Sequence, residues 1–254
     1  MGKAQATLYV ILGIILAFIV LFVVLFQTGV IESLTKQQES KLAIPPQIQA
    51  IDGFVKGCIE TTANGALYRI GQQGGYFIVP KPSTEFGIPY YFVKEKSHMP
   101  SKERIEKEIS LYLNEELFFC IRNFAIFPDF EIEQGKIGTK TQIRDNEVVL
   151  DVDYPLTITK AGTTFKLEEF NDIKVSARLG VVYSSVSKMI ERQLKDKENI
   201  CISCLVDIGI ENDLSVDMFN FEPDSVIFVI TDKNTQIYKE DYEFVFANQY
   251  KVQR

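Results

Sequence analysis

Residues 8–26, LYVILGIILAFIVLFVVLF, form an unbroken apolar run with no charge and no proline. As a helix rising about 1.5 Å per residue, a run of this length matches the roughly 30 Å hydrocarbon layer of a bilayer. No other stretch of the 254 residues is both as long and as free of charge. The expectation is one membrane span with a single folded domain behind it. The implied layout is an N-terminal tail at 1–7, a transmembrane helix at 8–27, a stalk or linker at 28–45 and a domain at 46–254.

The flanks bear on orientation. Lys3 and the α-amino group precede the run, and Glu32, Lys36, Glu39 and Lys41 follow it, so the Lys/Arg bias is close to even. The short tail favours a cytoplasmic N-terminus, with the domain outside. A cleavable secretory signal is the alternative, but the run exceeds the usual apolar core of such a signal and no A-x-A-like site follows directly. Ala6 breaks the myristoylation pattern, which needs Ser or Thr there. The protein carries a net charge of −7 with its 34 acidic residues outnumbering 27 basic ones. Such a surface repels phosphate backbones, so nucleic acid is not an expected partner. The expected partners are the lipid bilayer through residues 8–27, and other envelope proteins or copies of the chain itself.

Pro45 and Pro46 end whatever precedes them, because proline lacks an N–H and disfavours helix one residue earlier. Beyond them Ile48, Ile51, Val55, Cys58, Ile59, Thr62, Ala66 and Ile70 recur at three- and four-residue steps, which predicts a helix over 46–72 stopped by Gly74 and Gly75. Short strands are expected at 76–79 and 90–93. Ser101 is a natural N-cap for a second helix over 102–124, with the stripe Ile105, Ile109, Leu113, Leu117, Cys120, Ile121 and Phe124. The period then changes to two. Strands at 136–143 and 147–154 flank Asp145-Asn146, and strands at 155–159 and 164–170 flank Lys160-Ala161-Gly162. A third helix is expected over 179–195, with Val182, Val186, Met189, Ile190 and Leu194 inward. Strands at 205–210, 225–231 and 242–246 close the chain. The fold class is α+β: one N-terminal transmembrane helix, then two long amphipathic helices packed with a mainly antiparallel sheet and a third helix.

Four cysteines on the oxidising side of a membrane suit disulfides, and three connectivities are possible. Cys58 and Cys120 each fall on the buried stripe of a helix and can meet if those helices are antiparallel neighbours. Closing that long loop contributes about 4 kcal/mol in the chain-entropy account. Two free buried thiols are the alternative. Cys201-Ile202-Ser203-Cys204 is a CxxC, open to a structural bridge, a redox pair, free thiols, or a metal site shared by all four cysteines. A redox pair should follow a strand and open a helix; here the predicted order is a helix tail before and a strand after. Residues i and i+3 of a strand lie about 10 Å apart, so this pair bridges only where the chain turns.

Other chemistry is sparse. His98 is the single histidine and stands in a loop before Pro100, which leaves no multi-histidine site and no triad. Asp151 and Asp153 share the solvent face of their strand, and Glu168 and Glu169 have no cleft assigned to them. No phosphate-binding glycine loop, HExxH or GxSxG is present, so no cofactor and no catalytic residue is expected.

Two resemblances add to this picture. Lys3-Ala4-Gln5-Ala6-Thr7 ahead of a long apolar helix resembles an archaeal class III, prepilin-type signal. The resemblance implies cleavage between Ala4 and Gln5 and assembly as a pilin-like filament subunit. Pilins usually carry Glu at the fifth mature position, where this chain has Tyr9. The run 45–76, PPQIQAIDGFVKGCIETTANGALYRIGQQGGY, with the closing YEFVFANQY, resembles uncharacterised single-span membrane proteins of small-genome archaea. That family implies the architecture and brings no activity. The leading functional expectation is a membrane-anchored extracytoplasmic structural or binding protein of the cell envelope. The alternatives are the pilin-like subunit and a thiol–disulfide oxidoreductase using Cys201 and Cys204.

Overall fold

Helix α1 (Gln49–Gln72) buries the predicted stripe, from Ile51, Val55 and Cys58 to Ala66 and Ile70. The structure, a computed structural model, describes residue 16 and residues 45–250. The expected transmembrane helix, the stalk and the Ala4–Gln5 processing site therefore lie outside the described residues. Among the described residues no helix is long and apolar enough to cross a membrane. The helix starts later than position 46, because 46–48 form a turn and the Ile48 carbonyl takes the first helical bond, from Asp52 N–H at 3.0 Å. At its other end Gly75 N–H reaches back to the Ile70 carbonyl at 2.8 Å. Gly74 and Gly75 make this closure with φ of +53° and +83°, which side chains with a Cβ disfavour. One turn earlier, a Cβ on Gly71 would sit 2.3 Å from the Glu243 carbonyl, so α1 lies almost backbone to backbone on a strand.

The expected strand at 76–79 is absent. Its amides go elsewhere: Phe77 N–H and Ile78 N–H donate to Oε2 of Glu108, at 3.0 and 3.4 Å. Glu108 is buried within helix α2 (Lys102–Ile121) and also pairs with Arg104 one turn before it. A carboxylate satisfied by backbone amides and a guanidinium replaces a ladder that had no partner strand. Ser101 caps α2 as expected, its hydroxyl accepting from Arg104 N–H at 3.2 Å. The helix ends at Ile121 rather than 124, because Arg122, Asn123 and Phe124 all adopt positive φ; Phe124 is still buried.

Two sheets, not one, carry the strands. The first has five strands in the order β2-β1-β9-β8-β7: β1 (Tyr90–Val93), β2 (Lys96–Ser97), β7 (Ser215–Glu222), β8 (Ser225–Ile237) and β9 (Glu240–Gln249). All its pairs are antiparallel except β1 with β9. Its core is aromatic. The rings of Phe228 and Phe246 stack with centroids 5.2 Å apart, Tyr91 stacks on Phe246 at 4.7 Å, and the Tyr91 hydroxyl donates to the Gly74 carbonyl at 2.7 Å.

The second sheet is antiparallel throughout. Strand β5 (Glu147–Lys160) is central, β3 (Glu131–Gln134) and β4 (Gly138–Ile143) pair along one edge, and β6 (Thr163–Ser176) pairs along the other. The sequence predicted two strands where β5 is one, broken at Pro155. Proline cannot donate to a ladder, and the register shifts between Asp153 and Leu156 to accommodate it. The inward alternation of Val148, Leu150, Val152 and Tyr154 holds, with Asp151 and Asp153 exposed. The outer edge of β4 is covered by α2. Glu106 accepts from Ile143 N–H and Asn114 from Thr139 N–H, both at 2.9 Å, while Ser110 bonds Thr141 at 2.8 Å. Three polar residues at four-residue spacing on one helix face thus close an edge that would otherwise recruit another strand.

Helix α3 (Leu179–Lys195) matches the predicted bounds and buries Val182, Val186, Met189 and Ile190; Leu194, expected inward, is exposed. Helix α4 (Ile202–Asn212) stands where a strand at 205–210 was expected. Leu205, Ile208 and Gly209 bury one face of it against α3 and β7, a helical spacing that outweighs the β-propensity of its isoleucines and valine.

Candidate functional site

All four cysteines are paired. Cys58 of α1 and Cys120 of α2 form a bridge across 62 residues, with Cα atoms 5.6 Å apart. Cys201 and Cys204 form the second, with Cα atoms 5.3 Å apart. The shared four-cysteine metal site is therefore not assembled. Among the described residues no cluster of three His, Cys, Asp or Glu could hold a metal ion. His98 is exposed in its loop, and its backbone N–H donates to the Tyr91 carbonyl at 2.8 Å. The acid pairs are exposed too: Asp151 accepts from Asp172 N–H and Glu169 from Asn171, each at 2.9 Å.

The two bridges differ in what they contribute. In the chain-entropy account the long loop between Cys58 and Cys120 is worth about 4 kcal/mol, the four-residue loop of the CxxC only about 2 kcal/mol. Their settings differ as well. Cys58 is 3% exposed inside the α1–α2 interface and its partner Cys120 is half-buried, whereas Cys201 and Cys204 are both half-buried.

The CxxC opens α4, which corrects the expectation that it leads into a strand. Cys201 occupies the N-cap position and Cys204 lies in the first turn. The segment before it is firmly held. Asp196, at the end of α3, accepts from Glu198 N–H and Asn199 N–H at 3.3 and 3.1 Å. The Gln193 amide donates to the carbonyls of Asp196 and Asn199 at 2.6 and 3.2 Å. Tyr250 donates its hydroxyl to Gln193 Oε1 at 2.8 Å and accepts from Asn248 at 3.2 Å. A chain of side chains from the end of β9 thus fixes the approach to Cys201.

A guanidinium faces the pair. Arg192 of α3 places Nη1 3.4 Å from Cys204 Sγ, and Ser203 Oγ lies 3.7 Å from Cys201 Sγ. Beside the bridge is a cavity of about 20 Å³, bounded by Met189, Leu205, Phe228 and Phe246, with the buried side-chain oxygen Oδ1 of Asn248 unpaired. Arg192, Gln193, Asn248 and Tyr250 escaped the sequence reading, because their relation to the CxxC depends on α4 being a helix packed beside α3.

Burial pushes the Tyr250 hydroxyl up to about 12, with the Asn248 hydrogen bond opposing, and burial pushes Tyr154 up to about 12 as well. The folded values exceed that of an unfolded tyrosine, near 10. The stability linked to these hydroxyls is therefore complete below pH of about 10 and falls as pH climbs towards about 12. Equilibrium unfolding at stepped alkaline pH should show this decline, smaller in Tyr250→Phe. A denaturation midpoint that stays level throughout the range would contradict it.

No protein-family model, no curated protein and no solved structure matches the chain.

Proposed function

We propose that the chain is a membrane-anchored, extracytoplasmic structural or binding protein of the cell envelope. Residues 8–27 anchor it in the bilayer with the N-terminus in the cytoplasm, and the domain from residue 46 onward works outside. The observation that carries this reading is the pairing of all four cysteines in two bridges. Such pairs persist on the oxidising side of a membrane and are rare where thiols are kept reduced. The acidic surface fits a domain held clear of anionic phosphates, in nucleic acid or lipid headgroups. Covering β4 with α2 fits a domain that must stay folded in an exposed setting.

The test is intact and peptide mass spectrometry on protein taken from native membranes, alkylated with and without reduction. The expected result is an uncut N-terminus, no alkylation before reduction, and cross-linked peptides joining Cys58 to Cys120. Four alkylated cysteines without reduction would place the domain in the cytoplasm and sink the reading. A mature chain beginning at Gln5 would replace it with the pilin-like subunit.

A further inference from the structure

We propose that the Cys201–Cys204 bridge is redox-active and oxidises dithiols that reach it from solvent. Three observations meet at this pair. It opens a helix of 11 residues, with Cys201 at the N-cap and Cys204 in the first turn, where the helix dipole favours negative charge. The Arg192 guanidinium stands 3.4 Å from Cys204 Sγ. Cys201 and Cys204 are both half-buried, whereas the other bridge has one cysteine, Cys58, sealed inside the α1–α2 interface. Each of the first two features stabilises a thiolate over a thiol, and so favours the reduced form of the pair over the bridge.

The step balances with a dithiol as the sole co-reactant. One thiolate of the dithiol attacks Cys201 Sγ and forms a mixed disulfide. The Cys201–Cys204 bond breaks, and its electron pair leaves with Cys204 as a thiolate beside Arg192. The second thiol of the partner, after losing its proton, attacks its own sulfur in the mixed disulfide and releases Cys201. The partner leaves as a disulfide, oxidised by two electrons. Cys201 and Cys204 are left as thiols that hold the two electrons and two protons. Departure from Cys204 is the favoured direction because the better-stabilised thiolate leaves faster.

The full-length protein, in detergent, is equilibrated with dithiothreitol at increasing ratios of reduced to oxidised form, and free thiols are trapped with a maleimide and mapped by mass. Cys201 and Cys204 should become labelled together, at a ratio at least about tenfold lower than Cys58 and Cys120. A reduced peptide carrying two cysteines, mixed with the oxidised protein, should emerge with an internal disulfide. Arg192→Gln, at an exposed position, should raise the ratio needed for half-reduction by about three- to fivefold, the effect of one solvent-screened charge. Opening of both bridges in parallel, or of the Cys201–Cys204 bridge only in denaturant, overturns the proposal. A peptide that stays reduced overturns it as well. A half-point unchanged by Arg192→Gln overturns the departure step assigned to Cys204.

Discussion

Replacing Cys58 and Cys120 together by alanine lowers the stability of the domain by about 4 kcal/mol, and its melting temperature by about 10 °C. The bridge spans 62 residues, so its loss returns a long loop's freedom to the unfolded chain. A domain of this size has a total stability of only about 5–15 kcal/mol. The variant should therefore still fold at room temperature, with a much reduced margin. The native interface remains to hold it, because Ile51, Val55 and Ile59 of α1 and Ile109, Leu113 and Leu117 of α2 stay buried around the site. Replacing Cys201 and Cys204 by alanine should cost about half as much, because the entropy of loop closure is a constant plus a part that grows with the logarithm of loop length. Urea titration followed by circular dichroism reads both variants on one scale. Equal midpoints for the two would refute the assignment of the long bridge as the structural one.

That long bridge was legible in the sequence because its cysteines sit on two helical stripes whose period is unambiguous. Cys58 recurs with Ile51, Val55 and Thr62, and Cys120 with Leu113 and Leu117. The span of α3 was legible for the same reason. The setting of the CxxC was not. Residues 205–210, Leu-Val-Asp-Ile-Gly-Ile, are rich in β-branched side chains, and the helix exists because α3 and β7 bury Leu205, Ile208 and Gly209. Its other apolar side chains, Ile202, Val206 and Ile210, stay exposed at four-residue steps, so the amphipathic contrast is weak. Residues 76–79 misled in the opposite sense. Their apolar pattern suggests a strand, but Glu108, distant in sequence, captures the amides. Strand β7 was passed over because its alternation breaks at Met218-Phe219 and most of its side chains remain exposed at the sheet edge.

Asp232→Ala should destabilise the domain by about 3–5 kcal/mol, the cost of leaving one partner of a buried ion pair alone. Asp232 is fully buried, and its Oδ1 accepts from Arg178 Nη1 at 2.7 Å. The same oxygen takes Asn234 N–H at 3.1 Å, and Oδ2 takes the Thr235 hydroxyl at 2.6 Å. Thr235 in turn accepts from Arg178 N–H at 2.9 Å, and Arg178 Nη2 donates to the Asn212 carbonyl at 2.6 Å. One carboxylate therefore shapes the irregular stretch of β8, the start of α3 and the last residue of α4. Alanine would leave Asn234 N–H and the Thr235 hydroxyl without their acceptor, beside a guanidinium that has lost its charge partner. Burial and, secondarily, Asp232 hold the Tyr242 hydroxyl in its neutral form, so that side chain cannot supply a replacement charge. Asp232→Asn, which keeps an acceptor, should cost less than Asp232→Ala. Converting both partners, Arg178→Met with Asp232→Leu, should recover stability relative to Asp232→Ala, because no lone charge remains buried. A urea midpoint for Asp232→Ala within about 0.5 kcal/mol of the parent would mean that the pair is not what joins these elements. The expected loss reaches the CxxC as well. Arg178 anchors the C-terminal end of the same helix that Cys201 opens, so a freed α4 should let the bridge be reduced at milder dithiothreitol in Asp232→Ala than in the parent.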